Sequence, residues 1–150
     1  MFMYTNTDLF DAIRFARRAH CGQTYGNTSY IEGHLKPVAN LVKLAGHPLE
    51  YQIVAILHDI IEDTDTTAIH LDKNFPTEIV DAVVAITHLP EESYHMYMVR
   101  VSHNRIARVV KFYDSLHNLT STVNEVDDAF KRRVKKYAKN IAILQPLITF

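Results

Sequence analysis

The sequence predicts an all-α fold in which about seven to eight helices form a single domain over residues 1–150. Apolar residues recur at intervals of three and four along almost the whole chain, which is the period of an amphipathic helix. The chain holds only 4 glycines, and no segment alternates apolar and polar residues as a strand does. Hydrophobic residues make up 47% of the chain, enough for a sizeable core, and no repeat or linker divides it.

The first three predicted helices cover residues 8–20, 35–45 and 49–62. In the first, four apolar side chains fall on one face: Leu9, Ile13, Ala16 and Ala19. The second has the same period and stops at Gly46, a residue type common at helix ends. Pro48 then suits the first turn of the third helix, which is rich in apolar residues.

Two further helices are predicted between residues 66 and 88. A short helix ending near Phe75 begins at Thr66 or Thr67, because a threonine hydroxyl accepts a backbone N–H at a helix start. Pro76 opens the following helix, which runs to about His88. Pro90 prevents its continuation, because proline has no N–H to donate.

The last three predicted helices cover residues 93–103 and 104–119 and a segment that begins at Asp127 and Asp128. Carboxylates favour the positive end of a helix dipole, which is why these two residues mark a start. The basic run 131–139 lies on this last helix, and we expect most of it to form a solvated face.

Charge and composition exclude several function classes. Lysine plus arginine number 16 and aspartate plus glutamate 17, so the net charge of −1 gives no footprint for nucleic acid or an anionic membrane. The single cysteine, Cys21, excludes an internal disulfide and a thiolate zinc cage. No targeting or membrane-spanning segment is found, so we expect a cytoplasmic protein of a bacterium or of something that infects one. The oligomeric state stays open.

Residues 57–64 place four ionisable side chains near the end of an otherwise apolar helix: His58, Asp59, Glu62 and Asp63. His58 and Glu62 are four residues apart and share a helix face. Burying such groups without a partner costs on the order of several kcal/mol each, and a divalent cation would offset that cost. The alternative interpretation is a solvated helix end with a capping role.

A histidine and an aspartate elsewhere in the chain extend this set. His34 precedes the second predicted helix, and Asp114 lies in the otherwise apolar run 109–118. Imidazole and carboxylate together suit manganese, iron or another divalent transition metal. Glu62 and Asp63 are then available to handle the protons of an attacking water.

These residues belong to a series of separated motifs that occur in a fixed order. The motifs are 15–23 (FARRAHCGQ), Tyr30-Ile31 with His34, Val38-Ala39, Leu57-His58-Asp59, Glu62-Asp63-Thr64, Val110-Lys111, Asp114 and His117-Asn118. The series resembles the HD-domain phosphohydrolases, and among them the hydrolase domains of RelA/SpoT-type alarmone enzymes and the stand-alone small alarmone hydrolases. The resemblance runs over about residues 11–131 and implies an HD-domain helical bundle.

The resemblance also implies roles for individual residues. The metal ligands that it implies, usually for manganese, are His34, His58, Asp59 and Asp114. Glu62 and Asp63 match the acidic pair that works on the attacking water and the pyrophosphate. His117 lies beside this site and is expected to orient Asp114 or another ligand.

Substrate contacts are predicted at five positions: Tyr25, Lys111, Asn118, Ser121 and Lys131. Asn118 matches a residue near the nucleotide sugar, and Ser121 and Lys131 fall at spacings of substrate contacts. Lys111 either neutralises phosphate charge or braces the fold. Tyr25 stands where the family has an arginine that packs on guanine, and its ring can still stack on a base.

The implied reaction is metal-dependent hydrolysis of the 3′-diphosphate of ppGpp or pppGpp to GDP or GTP and pyrophosphate. The chain departs from the family pattern at Tyr25, at Ser115, where the family has arginine, and by one extra residue before His34. These departures leave two alternatives open: a phosphomonoesterase acting on another nucleotide or NADPH, and a non-hydrolysing nucleotide-binding regulatory module. Since 150 residues accommodate a hydrolase domain alone, we expect degradation without synthesis.

Overall fold

The computed structural model describes residues 3–121 and 128–148, and within these ranges the chain forms nine α-helices. They are α1 (Asn6–Ala19), α2 (Lys36–Leu44), α3 (Leu49–Leu57), α4 (Ile60–Asp63), α5 (Ala68–Asp72), α6 (Thr77–Ile86), α7 (Tyr94–His103), α8 (Arg105–Ser121) and α9 (Asp128–Leu144). Seven of these have nine or more residues, in agreement with the predicted number. Asp127 lies outside the described residues.

Hydroxyl side chains begin three of the helices. The Thr5 hydroxyl accepts the Asp8 amide, and the Asp8 carboxylate accepts the Thr5 amide at 2.7 Å, so the two residues form a capping box. Thr67, and not Thr66, caps α5. Ser93 caps α7 by accepting a backbone amide at 3.2 Å. Each cap satisfies an amide that the helix itself leaves without a partner.

Helices α3 and α8 run through the middle of the bundle. Residues 52–57 of α3 are all buried, and the helix packs against α1, α2, α6 and α8. Helix α8 also packs against α7 and α9, and it carries the buried polar side chains Asp114 and Ser115. A helix that is apolar on all sides belongs in a core, so the pattern explains the position of α3. Among the described residues, no helix is long and apolar enough to cross a membrane.

A two-stranded hairpin interrupts the helical pattern, which the sequence did not predict. Strands β1 (Thr24–Tyr25) and β2 (Thr28–Ser29) pair antiparallel, with Tyr25 opposite Thr28. Gly26, the first of the two residues between them, has a φ of 58°, a conformation that glycine adopts without a steric penalty. Two-residue strands are too short to show the alternation that identifies a strand.

The third predicted helix, 49–62, is in fact two helices. Helix α3 ends at Leu57, and α4 begins at Ile60 after a turn at His58 and Asp59. The apolar pattern continues through the break, so periodicity alone does not reveal it. The turn directs both polar side chains toward the same interior point.

A π-helical turn, Ile31–Leu35, precedes α2 at the place where the sequence analysis predicts one extra residue. The Lys36 amide donates to the Ile31 carbonyl, five residues back, which is how a helix accommodates a one-residue insertion. A Cβ atom at Gly33 would lie 2.5 Å from Thr28 Oγ1 and 2.9 Å from the Tyr25 carbonyl oxygen. Glycine at position 33 therefore lets the hairpin pack closely against this turn.

Candidate metal centre

Four side chains from three separate parts of the chain meet at one buried point. The π-helical turn supplies His34, the break between α3 and α4 supplies His58 and Asp59, and α8 supplies Asp114. His34 Nε2 lies 3.3 Å from Asp59 Oδ2 and 3.3 Å from Asp114 Oδ1. His58 Nε2 lies 3.0 Å and 3.6 Å from the same two oxygens. The two Nε2 atoms are 3.3 Å apart.

These separations suit ligands around a single cation. Metal–ligand bonds of about 2.0–2.2 Å place neighbouring ligand atoms roughly 3 Å apart. His34, His58 and Asp59 each direct one ligand atom to a common point. Two imidazole nitrogens with carboxylate oxygens form a donor set that divalent transition metals prefer. A divalent metal ion therefore fits this cluster.

His58 is oriented as a ligand by a backbone hydrogen bond. Its Nδ1 lies 2.7 Å from the Ala55 carbonyl oxygen, which can only accept, so Nδ1 carries the proton. The Nε2 atom then points into the cluster, and its lone pair is available to a cation that displaces the Nε2 proton. The side chain is 1% exposed, so its direction is held by packing as well.

His34 is oriented by a second imidazole, that of His117. The Nδ1 atoms of the two rings lie 3.0 Å apart, and His117 Nε2 lies 3.4 Å from the Ser121 hydroxyl. Burial and the nearby charge of His34 lower the pKa of His117 to about 4. His117 is therefore neutral near pH 7 and accepts the His34 Nδ1–H. Of the two roles predicted for His117, the structure supports orientation of the other ligand, His34.

Asp114 has two polar neighbours on its own helix. Lys111 Nζ donates to Asp114 Oδ2 at 2.9 Å, and Asn118 Nδ2 donates to Oδ1 at 2.6 Å. Although burial opposes ionisation, the Lys111 ammonium and the two histidines hold the pKa of Asp114 well below its usual range. Lys111 is largely buried and lies 5.6 Å from the centre of the Tyr97 ring. The structure thus favours the bracing role for Lys111 over direct phosphate contact.

Glu62 and Asp63 lie at the rim of the cluster on α4. Their side chains reach the surface, yet desolvation by the surrounding protein raises the pKa of each, and the charge of Asp59 raises both further. Glu62 Oε1 accepts the backbone amide of His88. The Tyr30 hydroxyl donates to Asp59 Oδ2 at 2.6 Å and lies 3.4 Å from Asp63 Oδ2, so it connects the rim to a ligand.

The hairpin covers the other side of the cluster through Tyr25. Its ring stacks on His34, with centroids 5.0 Å apart and planes at 16°. Its hydroxyl donates to Asn118 Oδ1 at 3.0 Å. Three of the predicted substrate contacts, Tyr25, Asn118 and Ser121, are therefore neighbours on one face of the centre.

Comparison with known proteins agrees with this geometry, although no protein-family model matches the chain. The chain is 31% identical over 123 residues to the guanosine-3′,5′-bis(diphosphate) 3′-pyrophosphohydrolase MESH1 of Danio rerio, covering 74% of this chain and 67% of the relative. The chain belongs to this pyrophosphohydrolase family. The predicted resemblance is thus confirmed.

A second relative in the pyrophosphohydrolase family is much longer. The bifunctional (p)ppGpp synthase/hydrolase SpoT of Escherichia coli K12 is 28% identical over 153 aligned residues. The match covers 93% of this chain, which spans only 21% of SpoT. A solved structure described as a metazoan orthologue of SpoT that hydrolyses ppGpp superposes with a TM-score of 0.75 at 19% identity. It covers 96% of this chain and 89% of that one, which confirms the all-α fold.

Two residues of α9 that the sequence analysis did not select, Lys136 and Tyr137, interact electrostatically with residues of the centre. Lys131 is exposed and pairs with Asp128 at 3.5 Å. Lys136 has its Nζ 5.4 Å from the Tyr94 ring centroid and feels the charges of Lys111, Asp114 and Glu62. Tyr137 feels those of Asp114 and Lys111. The basic run 131–139 was the available signal, but it does not indicate which cation faces the site.

Proposed function

We propose that this chain hydrolyses the 3′-diphosphate of guanosine-3′,5′-bis(diphosphate) or its pentaphosphate analogue, releasing pyrophosphate and leaving GDP or GTP. The observation that carries this proposal is the buried set of two imidazole nitrogens and two carboxylate oxygens, 3.0–3.6 Å apart, beside the acidic pair on α4. The names of the relatives MESH1 and SpoT support the choice of substrate.

The metal-holding residues of the proposal are His34, His58, Asp59 and Asp114. We assign Mn²⁺ to them, because borderline imidazole and hard carboxylate ligands together suit this ion. When bound, such an ion supplies Lewis-acid chemistry, which lowers the pKa of a water ligand and polarises a phosphoryl oxygen. The Ala55 carbonyl and His117 keep both imidazoles turned toward the cation.

Glu62 and Asp63 handle the proton of the attacking water. Because Glu62 Oε1 is engaged by the His88 amide, Oε2 is the atom that takes a proton. The raised pKa of both carboxyls brings them closer to neutral pH, where a proton-transfer group is most effective. Tyr30 holds Asp59 and Asp63 in a fixed relation through its hydroxyl.

The reaction balances without a further reactant. The water oxygen bonds to the phosphorus atom attached to O3′, and the bond between that phosphorus and O3′ breaks. The water loses one proton to the acidic pair, and O3′ takes up one proton to become the 3′-hydroxyl. Pyrophosphate leaves with the oxygen that came from water.

Substrate contacts in the proposal come from the hairpin face and from α9. Tyr25, Asn118 and Ser121 line one side of the centre and would meet the nucleoside. Lys136 would bind the phosphates. Lys131 and Lys111 stay predicted contacts, but each already pairs with an aspartate, Asp128 and Asp114 respectively. A cytoplasmic location also stays a prediction.

The test is product analysis of ppGpp incubated with the Mn²⁺-loaded protein. Anion-exchange chromatography is expected to show GDP and pyrophosphate in equal amounts. The double variant Asp59→Ala with Asp114→Ala removes two ligands and should abolish turnover. Glu62→Gln should lower kcat by roughly 10²- to 10⁴-fold. Asp72→Asn, an exposed carboxylate at the end of α5, is the matched control and should keep wild-type activity.

Three results would overturn the proposal in distinguishable ways. Release of orthophosphate would indicate a phosphomonoesterase acting on a related nucleotide. Tight binding of ppGpp with no turnover under Mn²⁺, Fe²⁺, Co²⁺ and Zn²⁺ would indicate a regulatory binding module. Turnover that survives the double variant would show that the chemistry takes place elsewhere.

A further inference from the structure

Helix α7 caps the end of helix α6 with two side chains, Arg100 and Tyr97. Arg100 Nη1 donates to the carbonyls of Val84 at 2.8 Å and Ala85 at 2.9 Å, and Nη2 donates to that of Thr87 at 2.8 Å. The Tyr97 hydroxyl donates to the intervening Ile86 carbonyl at 2.6 Å. Four successive carbonyls at the α6 end, which have few partners within their own helix, are thus all satisfied from α7.

Arg100 also holds the loop 87–92 that follows α6. Its Nε donates to Glu92 Oε1 at 3.0 Å, and its Nη2 donates to Glu92 Oε2, so all five guanidinium N–H groups are used. The same loop is closed by the His88 ring, whose Nε2 lies 3.0 Å from the Glu92 carbonyl oxygen. Both ends of the loop are therefore tied to one side chain.

The loop 87–92 meets the acidic pair on α4 through the backbone of the residue that follows Thr87. The His88 backbone amide donates to Glu62 Oε1. Of the described contacts, this is the one that fixes the orientation of the Glu62 carboxylate. The direction of the amide depends on the peptide plane between Thr87 and His88, and Arg100 holds the carbonyl oxygen of that same plane.

We propose that Arg100 is a positioning residue of the reaction, which orients the Glu62 carboxylate by clamping the Thr87–His88 peptide through its bond to the Thr87 carbonyl. The proposal rests on the proposed function in one respect, namely that Glu62 takes the proton. Arg100 itself does not touch the metal centre. Its effect on chemistry passes through one rigid peptide plane.

Lysine cannot reproduce this arrangement. An ammonium group has three donors on a flexible stem, whereas the planar guanidinium holds three carbonyls and a carboxylate at fixed angles. Loss of the clamp lets the peptide plane rotate, so that Glu62 loses its amide partner. Misplacement of a catalytic group by about 1 Å typically lowers a rate on the order of 100-fold.

Loss of the hydrogen bond from the His88 amide can be detected through the pKa of Glu62, which also depends on the groups around that carboxylate. The titratable groups that act on it are Asp59 and Asp63 on its own segment, Tyr94 and Tyr97 on α7, Lys111 on α8 and Lys136 on α9. Among the described residues, Tyr97 is the member of this set that contacts Arg100, through its ring at 5.7 Å, and burial raises the pKa of Tyr97 to about 12, so its hydroxyl is uncharged near pH 7. A change in the titration of Glu62 in an Arg100 variant therefore reports the amide bond and not a lost charge.

The first experiment is an NMR titration that needs no substrate. The His88 amide proton of the wild-type protein should resonate downfield and follow the ionisation of Glu62 as pH changes. Glu62→Gln should abolish that inflection. Arg100→Lys should remove the downfield shift and raise the pKa of Glu62, because an amide hydrogen bond favours the charged carboxylate. A wild-type His88 amide that does not follow Glu62 would overturn the proposal.

The second experiment compares Arg100→Lys with Arg105→Lys in ppGpp turnover. Arg105 is a matched control, because like Arg100 it pairs with a glutamate, Glu78, and lies over a tyrosine ring, that of Tyr51 at 5.5 Å, but it has no described contact with the loop 87–92 or with Glu62. Arg100→Lys should lower kcat roughly 10- to 100-fold with KM within about twofold of wild type. In the pH profile of kcat for Arg100→Lys, the fall on the acidic side should move to higher pH. Arg105→Lys should keep the wild-type kcat and pH profile.

A third variant, Glu92→Gln, keeps Arg100 and weakens the clamp from its other end. It should shift the His88 amide in the same direction by a smaller amount, and it keeps the proposal testable if Arg100→Lys does not fold. Equal losses in Arg100→Lys and Arg105→Lys, with no movement of the fall in kcat on the acidic side, would overturn the proposal in favour of a purely structural cap. Absence of wild-type turnover would instead refute the proposed function, while the NMR titration still decides on the clamp.

Discussion

The Nε2 atoms of His34 and His58 lie 3.3 Å apart, and each is within 3.6 Å of carboxylate oxygens from both Asp59 and Asp114. In the protein without metal, the Lys111 ammonium and protons on the imidazoles together balance the carboxylates of Asp59 and Asp114. Burial lowers the pKa of a histidine, but the two carboxylates outweigh this effect and raise the pKa of both His34 and His58. A divalent cation that binds here displaces the imidazole protons, so we expect metal binding to release protons.

The first prediction concerns the pH dependence of metal binding. Because the pKa of His34 and of His58 is raised, protons compete with the metal at neutral pH, and the apparent affinity should fall as pH falls. Each displaced proton contributes about a tenfold change in affinity per pH unit. Calorimetric titration of Mn²⁺ in two buffers of different ionisation enthalpy, at pH 6, 7 and 8, measures both the affinity and the number of protons released. Affinity that is constant across this range would contradict the release of protons.

The second prediction concerns His117. Its ring accepts the Nδ1 proton of His34, so His117→Ala should leave the imidazole of His34 without its orienting partner. We expect the affinity for Mn²⁺ to fall about 10- to 100-fold, with little change in thermal stability. His95→Ala, at an exposed position on α7, is the control. Equal affinities in the two variants would show that His34 is held by packing alone.

The third prediction concerns Lys111 and its buried partner Asp114. Lys111→Met leaves the Asp114 carboxylate without its cation, which should cost about 3–5 kcal/mol of unfolding free energy in the metal-free protein. Saturating Mn²⁺ should restore part of the loss, because the dication supplies positive charge to the same carboxylate. Lys131→Met removes an exposed pair and should cost at most about 1 kcal/mol. Urea unfolding with and without metal measures all three values.

The fourth prediction concerns Gly33 and the hairpin. An added Cβ would come within 2.5 Å of Thr28 Oγ1 and 2.9 Å of the Tyr25 carbonyl oxygen, so Gly33→Ala must displace the strand that carries Tyr25. We expect a loss of about 1–3 kcal/mol in stability and a rise in KM larger than the fall in kcat. Adding Thr28→Ala removes one of the two contacts and should restore stability only in part. Full additivity of the two substitutions would contradict the close packing.

Much of the fold was predictable because helix periodicity, threonine caps and proline breaks act locally. Hydroxyl capping, for example, limited the beginning of α5 to Thr66 or Thr67, and the structure has Thr67. The break between α3 and α4 was not predictable, because Ile60 and Ile61 continue the apolar pattern across it. What ends α3 is the turn of His58 and Asp59 toward partners that are distant in sequence.

The candidate site was likewise predictable in part. The metal ligands were predicted from residue type and order, and the structure brings all four together, so they stay the proposed ligands. The arrangement around them was not predictable in detail, since it depends on side chains of separate helices. Arg100 of α7, for example, holds the end of α6. Nothing in the local sequence of α7 indicates that its acceptors lie on α6.

The most direct test of the central claim is hydrolysis of ppGpp in water enriched in ¹⁸O, with the products analysed by mass spectrometry. Attack on the phosphorus atom attached to O3′ places one ¹⁸O atom in pyrophosphate and none in GDP, and the account predicts this result for the Mn²⁺-loaded protein. Label in GDP, or orthophosphate in place of pyrophosphate, would contradict it.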